Sequence, residues 1–216
     1  MKRHARLCIR IVAPVLVAAL SVTVTSRATA QSAKVVSIEE HWELQLADPD
    51  VDRSAPQTTM VMSPTADLSG THFLFTLNHV SAPVYAPGGM QVQLWNGEEF
   101  VEQSAGHVTT ALEHSNETVR WTQRISLDNG TLHFQVLDGT SETWSSFGGD
   151  DLSLSVASSL TSLNSYHPSV SIAESQVSYA ENRVVSLTLT KLIWTTDDGV
   201  VHEQDAPIPI DISLGD

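Results

Sequence analysis

Apolar and polar residues alternate along most of the chain, and this pattern defines a series of short segments. In the first segment one face carries Val36, Ile38, Trp42, Leu44 and Leu46. Comparable segments follow at residues 73–77, 90–94, 119–127, 132–136, 152–156, 185–193 and 208–212. A period of two residues indicates half-buried strands, and no window of a dozen residues has the period of an amphipathic helix. The pattern predicts about eleven to thirteen strands.

Turn-forming pairs separate or follow these segments. Asn96-Gly97, Asn129-Gly130, Asp138-Gly139 and Asp198-Gly199 accept the positive φ angles of tight hairpin turns, so a turn is predicted at each pair. Because proline cannot donate a ladder hydrogen bond, Pro207 and Pro209 place the last strand at a sheet edge.

The opposite face of each segment is rich in Ser, Thr, Gln and His. Two antiparallel sheets packed face to face bury such strands on one side only. We predict an all-β, two-sheet antiparallel β-sandwich of jelly-roll type, formed by a single domain over residues 31–216. A single closed barrel is the alternative.

The first 30 residues have the order of a signal peptide. A basic start precedes the apolar stretch Ile11–Val24, and Ala28-Thr29-Ala30 gives a small-residue cleavage pattern. The sequence predicts a signal peptide over residues 1–30, cleavage between Ala30 and Gln31, and a secreted or periplasmic protein. An uncleaved membrane anchor is the alternative. No later stretch is apolar enough to span a bilayer, so no membrane span is expected in the mature protein.

Charge and cysteine content exclude several classes of function. The chain has 25 acidic and 11 basic residues, a formal net charge of −14. Residues 31–216 hold 25 acidic residues against six basic ones, a formal charge of −19. Nucleic acid is not an expected partner, because phosphate binding needs a basic surface. The one cysteine, Cys8, lies in the predicted signal peptide, which excludes a disulfide framework and a thiolate zinc site.

Residues 119–149 form the most distinctive stretch. They resemble the central hairpins of concanavalin-A-like and laminin-G-like sandwiches. The resemblance rests on a long strand, the Asn129-Gly130 turn, the segment Thr131–Val136 and a second turn pair at Asp138-Gly139. The resemblance implies a jelly roll that often binds carbohydrate and often carries calcium at a rim. The chain as a whole looks like exported proteins of aquatic bacteria.

Aromatic side chains away from the apolar faces are candidates for stacking against sugar rings. Trp42 and Trp121 fall on apolar faces and are predicted to be core residues. The candidate ligand-binding residues are Tyr85, Trp95, Trp144 and Trp194.

The first predicted strand carries Glu39, His41 and Glu43 on its polar face. This spacing resembles the catalytic strand of glycoside hydrolases built on the same sandwich, where the motif is Glu-x-Asp-x-Glu or Glu-x-Asp-x-x-Glu. The resemblance implies a carboxylate nucleophile and a general acid, which retaining hydrolysis places about 5 Å apart. Here histidine replaces the central aspartate, and a solvated polar strand face is the alternative interpretation.

Asp48, Asp50 and Asp52 supply the hard oxygen atoms that calcium prefers. Pro49 lies within the series and no glutamate completes a loop, so calcium is an optional ligand and no cofactor is required.

Three functions remain open at the level of sequence. The first is a non-enzymatic exported module that binds a polysaccharide or another extracellular ligand. The second is a structural or adhesive protein whose partner is a component of the cell envelope. The third is a polysaccharide-cleaving enzyme that uses Glu39 and Glu43.

Overall fold

The protein is described by a computed structural model over residues 33–48, 57–79, 89–106, 112, 114–178 and 183–210. The predicted signal peptide and its cleavage point lie outside these residues. The described residues form twelve strands and one α-helix. The strands are β1 (Val35–Leu46), β2 (Gln57–Met62), β3 (Thr71–His79), β4 (Gly89–Asn96), β5 (Glu99–Gly106), β6 (Thr118–Asp128), β7 (Thr131–Ser141), β8 (Ser145–Phe147), β9 (Ser153–Ala157), β10 (Gln176–Ser178), β11 (Val184–Thr196) and β12 (Val201–Pro209), and helix α1 spans Pro168–Glu174.

Two antiparallel sheets pack against each other. The seven-stranded sheet has the order β12-β11-β1-β6-β7-β8, with β9 also paired to β7. The five-stranded sheet has the order β10-β2-β3-β4-β5. The chain passes from one sheet to the other after β1, β5, β9 and β10, as a jelly-roll sandwich requires. The predicted all-β sandwich is confirmed, and the closed-barrel alternative is wrong.

The inner faces of the two sheets form one hydrophobic core. Trp42 and Trp121 are both buried, as predicted, and their rings stack with centroids 6.2 Å apart. Phe75 of the opposite sheet meets Trp121 edge to face at 6.1 Å. Aromatic pairs in these arrangements add to the free energy of burying their area. The core therefore joins the two sheets at their centres.

The strongest hairpin signal predicted the right turn. Asp128 pairs with Thr131, so only Asn129 and Gly130 connect β6 to β7. Both residues have positive φ, 46° and 77°. A two-residue turn of this kind matches the right-handed twist of its strands.

The turn predicted at Asp138-Gly139 is wrong, because both residues lie inside β7. A Cβ atom on Gly139 would lie 2.1 Å from the Phe147 ring on β8. This glycine therefore permits a close approach between neighbouring strands, which is a common role for glycine within a strand.

The predicted apolar face of β11 is also wrong at both ends. Leu189 and Lys191 pair with consecutive residues of β1, so Thr190 is an extra, bulged residue. The bulge reverses the alternation, and Trp194 therefore lies on the inner face while Ile193 does not. A second irregularity near the start of the strand leaves Val185 60% exposed. One extra residue is enough to exchange the two faces of a strand.

The last strand lies at a sheet edge, as its prolines predicted, but it spans Val201–Pro209 and not the predicted segment 208–212. Strand β12 pairs only with β11 among the described strands. Helix α1 was not predicted, because its seven residues are too few to show a helical period. Within the described residues, no helix has the length and apolar character needed to cross a membrane.

Candidate functional site

A glutamate is buried in the interior of the sandwich. Glu40 has no exposed surface, and it shares the inner face of β1 with the core residue Trp42. One carboxylate oxygen accepts hydrogen bonds from Trp42 Nε1 at 2.9 Å and Gln123 Nε2 at 2.7 Å. The other accepts from Tyr166 Oη at 2.6 Å and from Ser171 Oγ. Glu40 thus ties two strands of the seven-stranded sheet to the segment around helix α1.

Opposing effects act on the pKa of Glu40. Burial raises this pKa and is the largest effect, while the four hydrogen bonds to the carboxylate lower it, and the net result is a raised pKa. Burial, followed by the charge of Glu40, raises the pKa of Tyr166 well above its usual value. The phenol therefore keeps its proton and remains a donor to the carboxylate.

The raised pKa of Glu40 predicts a pH-dependent stability. The folded protein holds the Glu40 proton more tightly than the unfolded chain does. The contribution of Glu40 to the free energy of unfolding therefore falls as pH rises through the pKa that Glu40 has in the folded protein. Glu40→Gln removes the titrating group, so the variant should gain stability relative to the parent as pH rises above 4.5, the ordinary pKa of a glutamate. Urea unfolding between about pH 4 and pH 9 measures this gain in the free energy of unfolding. The gain should grow by about 1.4 kcal/mol for each pH unit between the pKa of Glu40 in the unfolded chain and its pKa in the folded protein.

Glu99→Gln, on an exposed strand residue, is the matched control for the loss of one negative charge. A free-energy difference between Glu40→Gln and the parent that stays constant across the pH range contradicts the prediction.

A groove opens beside this buried carboxylate, on the inner face of β11 and β12. Its volume is about 220 Å³, and its walls come from β1, β11, β12 and the segment before α1. We call it the Trp194 groove; its lining includes Ile38, Leu163, Asn164, Tyr166, Trp194 and Gln204. The Tyr166 side chain belongs to both the groove and the Glu40 network. The buried carboxylate therefore fixes one wall of the groove.

Trp194 supplies the aromatic surface of the groove. The indole is half-buried, and one of its faces stacks on His202 of β12 with centroids 5.2 Å apart and planes 12° apart. Asn164 and Gln204 are exposed amides on the same groove. Asn164 Oδ1 accepts a hydrogen bond from Val35 N at 2.7 Å, which orients the side chain. The Asn164 amide nitrogen is then available as a donor.

The other aromatic candidates lie elsewhere. Trp95 is half-buried on the other sheet, where it meets Phe100 edge to face at 5.6 Å and donates to Gln93 at 3.2 Å. Trp144 is 9% exposed and packs in the core against Phe147, so it offers no open ring face. Tyr85 lies outside the described residues. The structure does not bring the candidates that it describes onto one surface.

A second cavity lies on the outer face of the seven-stranded sheet. It has a volume of about 310 Å³ and is lined by polar side chains of four adjacent strands. We call it the outer cleft; its polar side chains are His41, Glu43, Arg120, Thr122, Asp138, Thr140 and Thr190. Two of the three residues of the hydrolase-like motif therefore line one cleft.

Arginines neighbour both carboxylates of that motif. Arg120 Nε and Nη2 donate to Glu43 Oε2 at 2.8 and 2.7 Å, and Arg124 Nη1 lies 4.0 Å from Glu39 Oε1. A hydrogen bond from Gln45 and the nearby Arg120 lower the pKa of Glu43. An ionised Glu43 has the chemistry of a nucleophile and not that of a general acid. The catalytic assignment of Glu39, His41 and Glu43 stays a prediction.

The calcium prediction also stays a prediction. Asp50 and Asp52 lie outside the described residues, and Asp48 is an exposed residue whose carboxylate accepts a hydrogen bond from Asn116 at 3.3 Å. Within the described part of the chain, no group of three or more His, Cys, Asp or Glu side chains is arranged to hold a metal ion.

Three of the residues at these sites were missed in the sequence. The position of Glu40 could have been predicted, because it is two residues from both Ile38 and Trp42 and therefore lies on the same apolar face of the strand. The positions of Asn164 and Gln204 could not have been, since they come from separate segments that only the folded chain brings together.

No protein-family model matches the chain, and no curated protein matches it.

Proposed function

We propose that this protein is an exported, non-catalytic module that binds a neutral saccharide in the Trp194 groove. The observation that carries the proposal is the half-buried Trp194 indole in a groove that also holds two exposed amides, Asn164 and Gln204. The C–H bonds of a pyranose ring pack well on an indole face, and its hydroxyl groups exchange hydrogen bonds with amides. An apolar surface with a few placed polar groups is typical of a small-molecule site.

The dimensions and charge of the site narrow the ligand. A volume of about 220 Å³ is below the roughly 300 Å³ at which pockets for drug-sized molecules begin. The groove therefore holds one sugar ring at a time, as one residue of a longer glycan. The formal net charge of −14 disfavours a polyanion, which supports a neutral glycan.

The groove is held in shape before a ligand arrives. Leu163 N donates to Val35 O at 2.7 Å, and Tyr166 is held by Glu40 at 2.6 Å. Because these contacts order the wall in the free protein, less conformational entropy is lost when a ligand binds.

Removal of the Trp194 ring should abolish most saccharide binding. The test is retention of the mature protein on cellulose, chitin, xylan, mannan and β-1,3-glucan, followed by calorimetry with the matching oligosaccharide. Trp194→Ala should weaken binding at least about tenfold, equivalent to about 1.4 kcal/mol, because the stacking surface is lost. Trp194→Phe should keep part of the affinity.

Trp95→Ala is the matched control, since Trp95 is also half-buried but lies on the other sheet. Melting curves of all variants show that each remains folded. Failure of the parent to bind any of these glycans, or equal affinity of Trp194→Ala and the parent, refutes the proposal.

A further inference from the structure

We propose that the outer cleft is a second saccharide site, in which Asp138 and Arg120 hold two adjacent hydroxyl groups of one sugar ring. The inference shares only the class of ligand with the proposed function and does not depend on the Trp194 groove. Thr122 pairs with Asp138 and Arg120 pairs with Thr140, so Arg120 and Asp138 are diagonal neighbours on adjacent strands. Diagonal neighbours on one sheet face are within reach of long side chains.

The two groups offer complementary chemistry. Arg120 is 63% exposed, and it uses Nε and Nη2 for Glu43, so Nη1 donates nothing to that carboxylate. Asp138 is exposed, and its carboxylate has no hydrogen-bond or ion-pair partner among the described residues. A carboxylate accepts hydrogen bonds and a guanidinium only donates them. A vicinal diol meets both requirements, because one hydroxyl donates to Asp138 while its neighbour accepts from Arg120.

Two β-bulges lie at this level of the sheet. Thr190 is the extra residue of β11 beside His41, and Leu137 is the extra residue of β7 beside Thr122. Bulges redirect side chains and are frequent next to functional sites. Here Thr190 Oγ1 donates to the main-chain oxygen of His41 at 2.9 Å. The two bulges therefore flank the cross-strand pair His41 and Thr122 at the centre of the cleft.

The floor of the cleft is already ordered. His41 Nδ1 and Thr122 Oγ1 share a hydrogen bond of 3.2 Å, and the Glu43–Arg120 ion pair fixes one end. His41 Nε2 is buried without a partner in the described part of the chain. A buried nitrogen in this state is costly, so a hydrogen-bond partner at this position would be favourable.

The charges of the cleft select the ligand class. Two carboxylates, Glu43 and Asp138, accompany one guanidinium, so the cleft repels a phosphate or carboxylate ligand. Among the described residues, the cleft side chains include no cluster of three groups suited to a metal ion. A neutral polyhydroxyl compound remains, and hydroxyl groups of Thr140 and Thr122 are present for further hydrogen bonds.

The two sites would lie on opposite faces of one sheet. Trp194 pairs with Ile38 on the inner face, whereas His41 and Thr122 pair on the outer face. A module with both sites can hold two glycan segments at once. Such bridging supports an adhesive role and raises overall affinity for a multivalent polymer without new contacts.

The experiment uses the Trp194→Ala protein, in which binding to the groove is weakened, and reads out the cleft residues directly. Methyl α-D-mannopyranoside, methyl α-D-glucopyranoside and methyl β-D-galactopyranoside are titrated while backbone amide NMR signals are followed. At least one sugar should shift the amides of Arg120, Thr122, Asp138 and Thr140 with a millimolar dissociation constant. Asp138→Asn and Arg120→Gln, each added to Trp194→Ala, should each weaken this binding at least about fivefold.

Asp205→Asn is the matched control, because Asp205 is an exposed aspartate on the edge strand of the same sheet and does not line the cleft. The absence of shifts at the cleft amides with all three sugars overturns the inference, as do shifts that survive both cleft substitutions. Either result leaves the Trp194 groove untouched, since the groove is tested in the protein that retains Trp194.

Discussion

Replacement of Glu40 by alanine should destabilise the protein by about 3 to 5 kcal/mol, because it leaves buried donors without an acceptor. Trp42 Nε1 and Gln123 Nε2 can only donate, and both point to the same carboxylate oxygen. The hydroxyl groups of Tyr166 and Ser171 lose their acceptor as well. The substitution also creates a cavity at a residue with no exposed surface.

Glu40→Gln separates hydrogen bonding from charge. The amide oxygen can accept from Trp42 and Gln123, while the amide nitrogen donates to the hydroxyl groups of Tyr166 and Ser171, which can rotate to accept. All four contacts are then kept, and the cost at mildly acidic pH should stay below about 1.5 kcal/mol. Urea unfolding followed by far-UV circular dichroism measures both variants. An equal loss of unfolding free energy in Glu40→Ala and Glu40→Gln would contradict the prediction, because it would show that the hydrogen bonds to Glu40 contribute nothing to stability.

Replacement of Trp121 by alanine should cost about 3 to 5 kcal/mol, the usual range for a large aromatic residue lost from a core. The Trp121 side chain is only 2% exposed, and it contacts Trp42 on its own sheet and Phe75 on the opposite one. Its loss therefore weakens the packing between the sheets. Trp95→Ala, on an outer sheet face, should cost far less in the same unfolding measurement.

A pair of phenylalanine variants sharpens the test. Trp121 Nε1 is buried without a partner among the described residues, whereas Trp42 Nε1 donates to Glu40. Trp121→Phe removes an unsatisfied donor, but Trp42→Phe removes a hydrogen bond to a buried carboxylate. Trp42→Phe should therefore cost about 1 to 3 kcal/mol more than Trp121→Phe. The opposite order would contradict the hydrogen-bond assignments at Glu40.

The limits of sequence-based prediction are clearest on strands β1 and β11. On β1 the alternation is uninterrupted, and the apolar positions from Ile38 to Leu46 are all buried as predicted. On β11 the extra residue Thr190 shifts the pattern, so Trp194 lies on the opposite face from the one predicted. Pairing with β1 and β12 decides where such a bulge lies, and no local signal in β11 marks it.

The candidate sites divide in the same way. The sequence identified Glu39, His41 and Glu43 as one polar strand face, because three residues on one strand keep their relation in any sheet. It did not connect them with Arg120 or Asp138, which come from β6 and β7. The groove could not be assembled from sequence either, since Asn164, Trp194 and Gln204 meet only after the long segment before α1 packs on β1.

The sequence by itself determined most of the long strands, the best hairpin turn, the edge position of the last strand and the two-sheet class of the fold. These features follow from local chemistry: side-chain alternation, positive φ at Asn129-Gly130 and the missing donors of Pro207 and Pro209. The tertiary structure alone decided the bulges, the four donors that surround the Glu40 carboxylate, and the two cavities on opposite faces of one sheet. Each of these depends on contacts between residues far apart in the chain, and their free energy is set by which strands become neighbours.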